Sequence, residues 1–439
     1  MKRATRTVLW KMCFLLALTA AVFSARAETL SSSQETGEIS VLGYLTPRYD
    51  DDFTRATGIA VYKAQRQGGS TMDDVATAIL TQDGSVDIFA IWTEEGLEYF
   101  KEKGFFYDLN ASSILRDALG EMFPVLQRAM KTEDGRIAAW PVEAHVTLMT
   151  QNTETLRSQG FTEIVTWDEA LDVIERLGEV SFFQDNNCVP FNICPYDRKS
   201  VLSYFVQEYM FRFYADDAAI TFDTPAFRGM AEKILETVPL NDPYPRKDGY
   251  EDTLFDSSTS ERIRATLLAP LRISEDEATR INATFLVLIV NPYSPHQEDA
   301  LRYIEYMATK KTVEDYAIYA SMNEPLVDEA ILRQLNALQE KMAAEQAKKP
   351  DPALEREHLD MLARLEEEQA YLLDNLYIVS DEDIRCYAAL SDDFVILENS
   401  ELLYNEMIES LIAQTAYGAI SLDRFIASAD GYIQMVMEE

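Results

Sequence analysis

In the stretch "DGRIAAWPVEAHVTLMTQN" (134–152), an indole, a proline, a carboxylate and an imidazole fall within six positions, at Trp140, Pro141, Glu143 and His145. Such a set can serve acid–base chemistry or grip. For glycoside hydrolysis Glu143 needs a second carboxylate roughly 5 to 9.5 Å away across the scissile bond. No spacing in the sequence marks that partner. His145 stands near no nucleophile motif, and both G-x-S-x-G and H-E-x-x-H are absent. The other histidines, His296 and His358, are distant in sequence. Neither a histidine metal site nor a cofactor is therefore predicted. Grip asks less: an indole covers the C–H face of a sugar ring while carboxylates accept from its hydroxyl rim. The set reads as hinge and wall, with Pro141 stiffening a crossing between lobes and His145 a satisfied structural histidine.

The elements that must position these residues alternate. "EISVLGYL" (38–45), "IAVYKAQ" (59–65) and "VDIFAIW" (86–92) read as strands, separated by helical patterns over 48–58 and 70–84. Short joints between them imply a parallel sheet with helices on both faces. Ligands of such sheets lie beyond the carboxyl ends of the strands. Here those ends carry Tyr44 and Trp92. Further on, "TWDEALDVI" starts a helix with a Thr166/Glu169 capping box, and 198–215 reads as a long amphipathic helix. "FLVLIV" is a buried strand, followed by a proline turn and a helix begun by Ser294. The predicted ligand wall is Tyr44, Trp92, Trp140, Glu143, Tyr204 and Tyr293, whereas Trp167 is expected in the core.

Residues 1–27 have a basic start, an apolar core and Ala25-Arg26-Ala27, the pattern of a cleaved export signal. The predicted location is secreted, extracellular or periplasmic. Cys13 stands at the front of the apolar core, behind Lys11, rather than just after it, which argues against a lipid anchor. Cys188 and Cys194 could close a small disulfide loop or stay apart. The chain carries 39 Lys and Arg against 75 Asp and Glu, and cleavage at residue 27 leaves 34 against 75. That field repels phosphate backbones, excludes nucleic acid as a partner and predicts a soluble monomer. A cationic ligand drawn to an acidic cleft is the sharper alternative. Roughly 410 residues exceed one ordinary core, so two lobes are expected. Within 328–373, Leu335, Leu338, Met342, Leu362, Leu365 and Leu372 repeat near a heptad on either side of "KKPDP". This pattern predicts an antiparallel helical hairpin.

The ordered set "GSVDIFAIW", "DGRIAAWPVEAHVTLMTQN", "TWDEALDVI", "ITFDTPAFRGMAEKI", "VNPYSPHQEDALRYIEYMA" and "GAISLDRFIASAD" resembles the extracellular solute-binding proteins of ABC transporters. It is most similar to their carbohydrate-binding family. The resemblance implies a type II periplasmic-binding-protein-like α/β fold, two lobes joined by a hinge that close on a small solute. It also implies an ABC permease as partner and no catalysis. On this basis lobe 1 is expected at 28–140 and about 283–325, lobe 2 at 141–282 and about 374–439, and the hairpin insertion at 326–373. A polyamine or cationic-peptide receptor of the same fold, and an exported carbohydrate-active enzyme, are the alternatives.

Overall fold

The computed structural model describes residues 37–44, 49–64, 71–177, 183, 188–191, 193, 195–216, 218–243, 252–259, 269–274, 276–311, 313–347, 355–374, 376–398 and 405–437. The expected export signal, the "KKPDP" break and the side chains of Cys188 and Cys194 lie outside them. The described strands are β1 Glu38–Gly43, β2 Ala60–Ala64, β3 Ile88–Trp92, β4 Trp140–Gln151, β5 Cys188–Phe191, β6 Asp252–Thr259, β7 Ile281–Val290, β8 Leu326–Val327, β9 Tyr377–Val379 and β10 Phe394–Ile396. One sheet path runs β2-β1-β3-β7-β4-β6-β5, with β10 beside β7.

The first three strands are parallel, as the alternation of strand and helix requires. β7 then enters antiparallel to both β3 and β4. It is buried at every position except Asn282, because helices and loops cover both of its faces. β4 divides its hydrogen bonds: Trp140–Val146 pair with β7, and Thr147–Gln151 pair with β6. That switch separates two cores. The first gathers Ile39, Phe89, Phe100, Trp140 and Leu288, and the second gathers Trp167, Phe205, Phe227, Phe255 and Phe425.

Three local outcomes differ from the sequence reading. Residues 379–394, expected with lobe 2, join the first core through Val379, Tyr387 and Phe394; contact with the second core resumes at Val395 and Leu397. The cause is β10, which pairs in parallel with the first residues of β7 and so draws this segment onto the first-lobe sheet. Helix Arg198–Ala215 is not amphipathic. It buries Val201, Leu202, Phe205, Val206, Tyr209, Met210 and Phe211 together with Glu208 and Arg212, because helices on several sides enclose it. Helix Gln297–Thr309 begins at His296 rather than Ser294, whose hydroxyl instead accepts from the His296 amide at 2.8 Å. The Thr166/Glu169 capping box is present, with reciprocal bonds of 3.2 and 3.0 Å.

The hairpin consists of helices Glu329–Gln346 and Glu355–Asp374, rising from the antiparallel β8–β9 ribbon. Its small core of Leu335, Leu338, Met342, Leu365 and Leu372 is separate from the other two.

Asp87 fastens the sheet edge opposite the carboxyl ends of β1 and β3. It is 3 % exposed. Its carboxylate accepts from the Ser40 amide at 2.7 Å and the Ser40 hydroxyl at 2.9 Å, both on β1, and from the Ser294 hydroxyl after β7. Removing it would strand buried donors from two other segments. Asp87→Ala is therefore expected to lower stability by about 3 kcal/mol. Asp168→Ala, which removes an exposed partner of Lys233, is expected to cost less than about 1 kcal/mol. Urea unfolding of the two variants checks the contrast.

Candidate functional site

The carboxyl ends of β1 and β3 and the crossover strand β4 bring six side chains to the lobe junction. Gly43 makes the first approach possible. It has φ 129°, and a Cβ there would meet the Ala90 carbonyl oxygen at 1.9 Å, so no other residue fits. Leaning β1 on β3 in this way carries Tyr44 to Glu95, and its hydroxyl donates to that carboxylate. Glu95 also accepts from the Trp92 amide at 2.9 Å, closing the turn that follows β3.

On β4 the period-2 alternation decides which side chains reach the junction. Trp140, Val142, Ala144 and Val146 are buried, while Glu143, His145 and Thr147 face outward and are half-buried. The pairing register shifts between Pro141 and Glu143, where a proline without an amide donor meets β7. Trp92 and Glu143 both pair with Leu286, from opposite sides. Their backbones are thus two strands, about 10 Å, apart. The gap is bridged by His145, whose ring lies over the Trp92 indole with centroids 4.3 Å apart and planes at 32°. Its Nε2 is 3.3 Å from Glu143 Oε1.

Electrostatically the junction is acidic and partly dry. Burial pushes the Glu94 carboxyl above its ordinary range, and the charge of Glu95 adds to this. Burial likewise raises Glu95, against the opposing pull of the Trp92 amide and the Tyr44 hydroxyl. The arrangement offers an aromatic surface, a half-buried imidazole and carboxylates ready to accept hydrogen bonds. Among the described residues, no group of three or more His, Cys, Asp or Glu side chains is arranged to hold a metal ion.

The predicted wall is thus assembled only in part. Tyr44, Trp92 and Glu143 come together. Trp140 is 1 % exposed within the first core; the register shift leaves it on the same face of the sheet as Glu143, opposite Leu288 rather than Leu286, so it sits deeper in that core. Tyr293 follows Val290, which pairs with Ile88 at the start of β3. It therefore lies at the sheet edge away from Trp92, about 13 Å along the strand. The antiparallel entry of β7 carries its end to that edge. Tyr204 packs beside Trp167 at 5.7 Å, against the second core. Glu95 and His145 are site members that the sequence reading did not place on the wall. The run Trp92-Thr93-Glu94-Glu95 at a strand's carboxyl end was the available signal.

A cavity of about 860 Å³, lined by none of these six side chains, opens between Glu98, Lys101 and Arg136 beside the first core and Tyr214 and Glu398 beside the second. Lys101 donates to both Glu398 oxygens, at 2.6 and 2.9 Å, and so ties the helix after β3 to the chain entering the second core.

Because folding raises the Glu95 pKa, the folded chain holds that proton more tightly than the unfolded one. Stability is expected to rise as pH falls from neutral through the folded value, with the gain complete below the unfolded value near 4.5. Glu95→Gln keeps an acceptor for the Trp92 amide and removes this titration. Its urea midpoint is expected to gain less on acidification than that of the parent chain, measured as a midpoint-against-pH series.

No protein-family model matches the sequence, and no curated protein matches it by sequence. Solved structures match the fold. An ABC transporter solute-binding protein from Agrobacterium radiobacter K84, in complex with ribitol, superposes with a TM-score of 0.53 at 12 % identity, over 91 % of this chain and 98 % of that one. Maltose-bound MalE3 of T. maritima gives 0.54 at 12 %, over 91 % and 99 %. An ABC transporter solute-binding protein from Agrobacterium vitis S4, with bound D-mannitol, gives 0.51 at 13 %, over 91 % and 98 %. Identities this low speak to architecture. The chain has the two-lobed α/β fold of ABC transporter solute-binding proteins.

Proposed function

We propose that this chain is an exported receptor that captures a sugar or polyol between its lobes and delivers it, unaltered, to the permease of an ABC importer. The observation that carries this reading is the cluster of Trp92, His145, Glu143, Glu94 and Glu95 where β4 leaves one lobe for the other. An indole partly open beside carboxylates matches a ring with apolar C–H faces and a hydroxyl rim. Solved proteins of the same fold hold ribitol, maltose and mannitol. Tyr44 extends the wall on the first lobe, and Tyr204 is its proposed counterpart on the second.

Ligand held against both lobes favours the closed arrangement by its differential affinity for that state, and the closed arrangement is what a permease would recognise. The receptor acts as a monomer and needs no cofactor. It is not an enzyme, since stacking and hydrogen bonding on an unaltered solute require no nucleophile or activated water.

One observation favours a second reading. Glu94 and Glu95 are desolvated carboxylates side by side, and a polyamine or cationic peptide would relieve their repulsion. pH separates the readings. A cationic ligand loses affinity as these groups take up protons below neutral pH, whereas a neutral polyol keeps most of its affinity.

Titration calorimetry against ribitol, mannitol, maltose and spermidine is expected to show heat with a neutral compound. Trp92→Ala should weaken that compound by about 1 to 3 kcal/mol while leaving the unfolding midpoint nearly unchanged. Trp140→Ala, in the core, should instead cost about 3 to 5 kcal/mol of stability. Heat with spermidine alone would move the assignment to the cationic reading, and cleavage of a chromogenic glycoside would overturn both.

A further inference from the structure

The helical hairpin has a second, uncovered seam. Its first seam is the heptad line Ile331, Leu335, Leu338 and Met342 on one helix, facing Leu365 and Leu372 on the other. His358 lies 3.9 Å from Glu345 near the tip, which fixes the antiparallel register. In an antiparallel pair, the residues that directly follow the seam positions fall on one flank of both helices. On the first helix these are Leu332, Asn336, Gln339 and Ala343; on the second they are Leu359, Ala363, Glu366, Ala370 and Leu373. All of them are exposed, with Leu332 at 37 %, Leu359 at 59 % and Leu373 at 47 %.

This flank is not ordinary surface. Leucines at both ends of the second helix, with alanines between them, form a shallow groove that is apolar towards its ends and polar at its middle, where Asn336, Gln339 and Glu366 lie. Large apolar side chains also stand exposed elsewhere on the hairpin and its base, at Met361, Tyr371 and Tyr377. Two helices meeting along one seam bury little apolar area, so the hairpin is an incomplete packing unit.

The charge beside the groove specifies what completes it. Helix Glu355–Asp374 carries seven Asp and Glu against two Arg. Glu366 lies within the groove, and Asp360 and Glu367, seven residues apart, border it on one side. A second copy of this chain would bring the same acidic border and a net charge of −36, which opposes self-association. We infer that this flank is a docking surface for one amphipathic helix of a partner protein, apolar on its inner face and bordered by Lys or Arg, which completes a three-helix bundle.

The probe is a synthetic Leu/Lys amphipathic helix of about three heptads, with a Leu/Glu helix of the same pattern as control. Fluorescence anisotropy on the full chain, in about 0.15 M salt to suppress diffuse attraction, is expected to show binding of the Leu/Lys helix only. The double variant Leu359→Ser, Leu373→Ser alters no charge and removes only exposed side chains. It should weaken binding at least about tenfold with an unchanged melting curve. Asp360→Lys with Glu367→Lys should transfer the preference to the Leu/Glu helix. Undiminished binding by the serine variant would show that surface charge alone holds the probe, and would overturn the assignment. Absence of binding by either helix would overturn it too, as would a dimer in sedimentation that the serine variant abolishes.

Discussion

Ala283 is hydrogen-bonded on both sides by strands that pass between the lobes. Val146 of β4 pairs with it on one side and Ile396 of β10 on the other. One residue beyond each partner the chain changes allegiance: Thr147 begins pairing with β6, and Leu397 enters the second core. The lobes are thus joined where the backbone donors and acceptors of the crossing strands are already satisfied by one another. Separating them would expose buried polar backbone, at a cost of order 1–3 kcal/mol for each group left unpaired. Twisting them leaves most of those bonds in place. The joint therefore resists separation far more than rotation, as the proposed closing of the lobes over a ligand needs.

The candidate site inherits its position from that joint. Glu143 and His145 are the two outward residues of β4 immediately before the switch, and Trp92 reaches them from the far side of β7. A rotation about Ala283 moves the second-lobe wall relative to side chains that stay fixed in the first-lobe sheet. The Lys101–Glu398 pair adds an electrostatic element to the same joint. Burial raises the Glu398 carboxyl and Lys101 opposes the rise. A mostly buried ion pair contributes only while its geometry holds. Rotation that stretches this one exchanges its attraction for solvation, so the pair biases one arrangement of the lobes without locking it.

Much of this was legible in the sequence. The parallel start of the sheet followed from three apolar runs separated by helices, and the hairpin followed from its heptads and central prolines. Tyr44 and Trp92 could be expected at the lobe junction because ligands of parallel sheets gather at strand ends, a rule that needs only the strand assignments. Trp140 lies in the first core for a reason the sequence did not display: a register shift after Pro141 keeps it on the face of Glu143, and the elements packed around Leu288 bury that part of the face. Tyr293 was misplaced for a different reason. An apolar run such as "TFLVLIV" reads alike in either direction, and the antiparallel insertion of β7 between β3 and β4 depends on pairing partners distant in sequence. The return of 379–394 to the first core was hidden for the same reason, since three residues of β10 decide it by pairing with the far end of β7.

The hairpin shows how a two-lobed chain can take on a further element without disturbing the joint between its lobes. It leaves through Leu326–Val327 and returns through Tyr377–Val379, strands that pair with each other, so its ends are held together whatever happens at its tip. Asp328 caps the outgoing helix by accepting from the Ala330 and Ile331 amides, at 2.7 and 3.1 Å, so that helix starts at a fixed point on the ribbon. Closing the insertion at its base makes its length cheap, since loop-closure entropy grows only logarithmically with chain length. Its leucines pack in a core of their own rather than on either lobe. Lobe rotation and the binding of anything on the hairpin are therefore mechanically separable. A partner held there would tether the chain without setting the arrangement of its lobes.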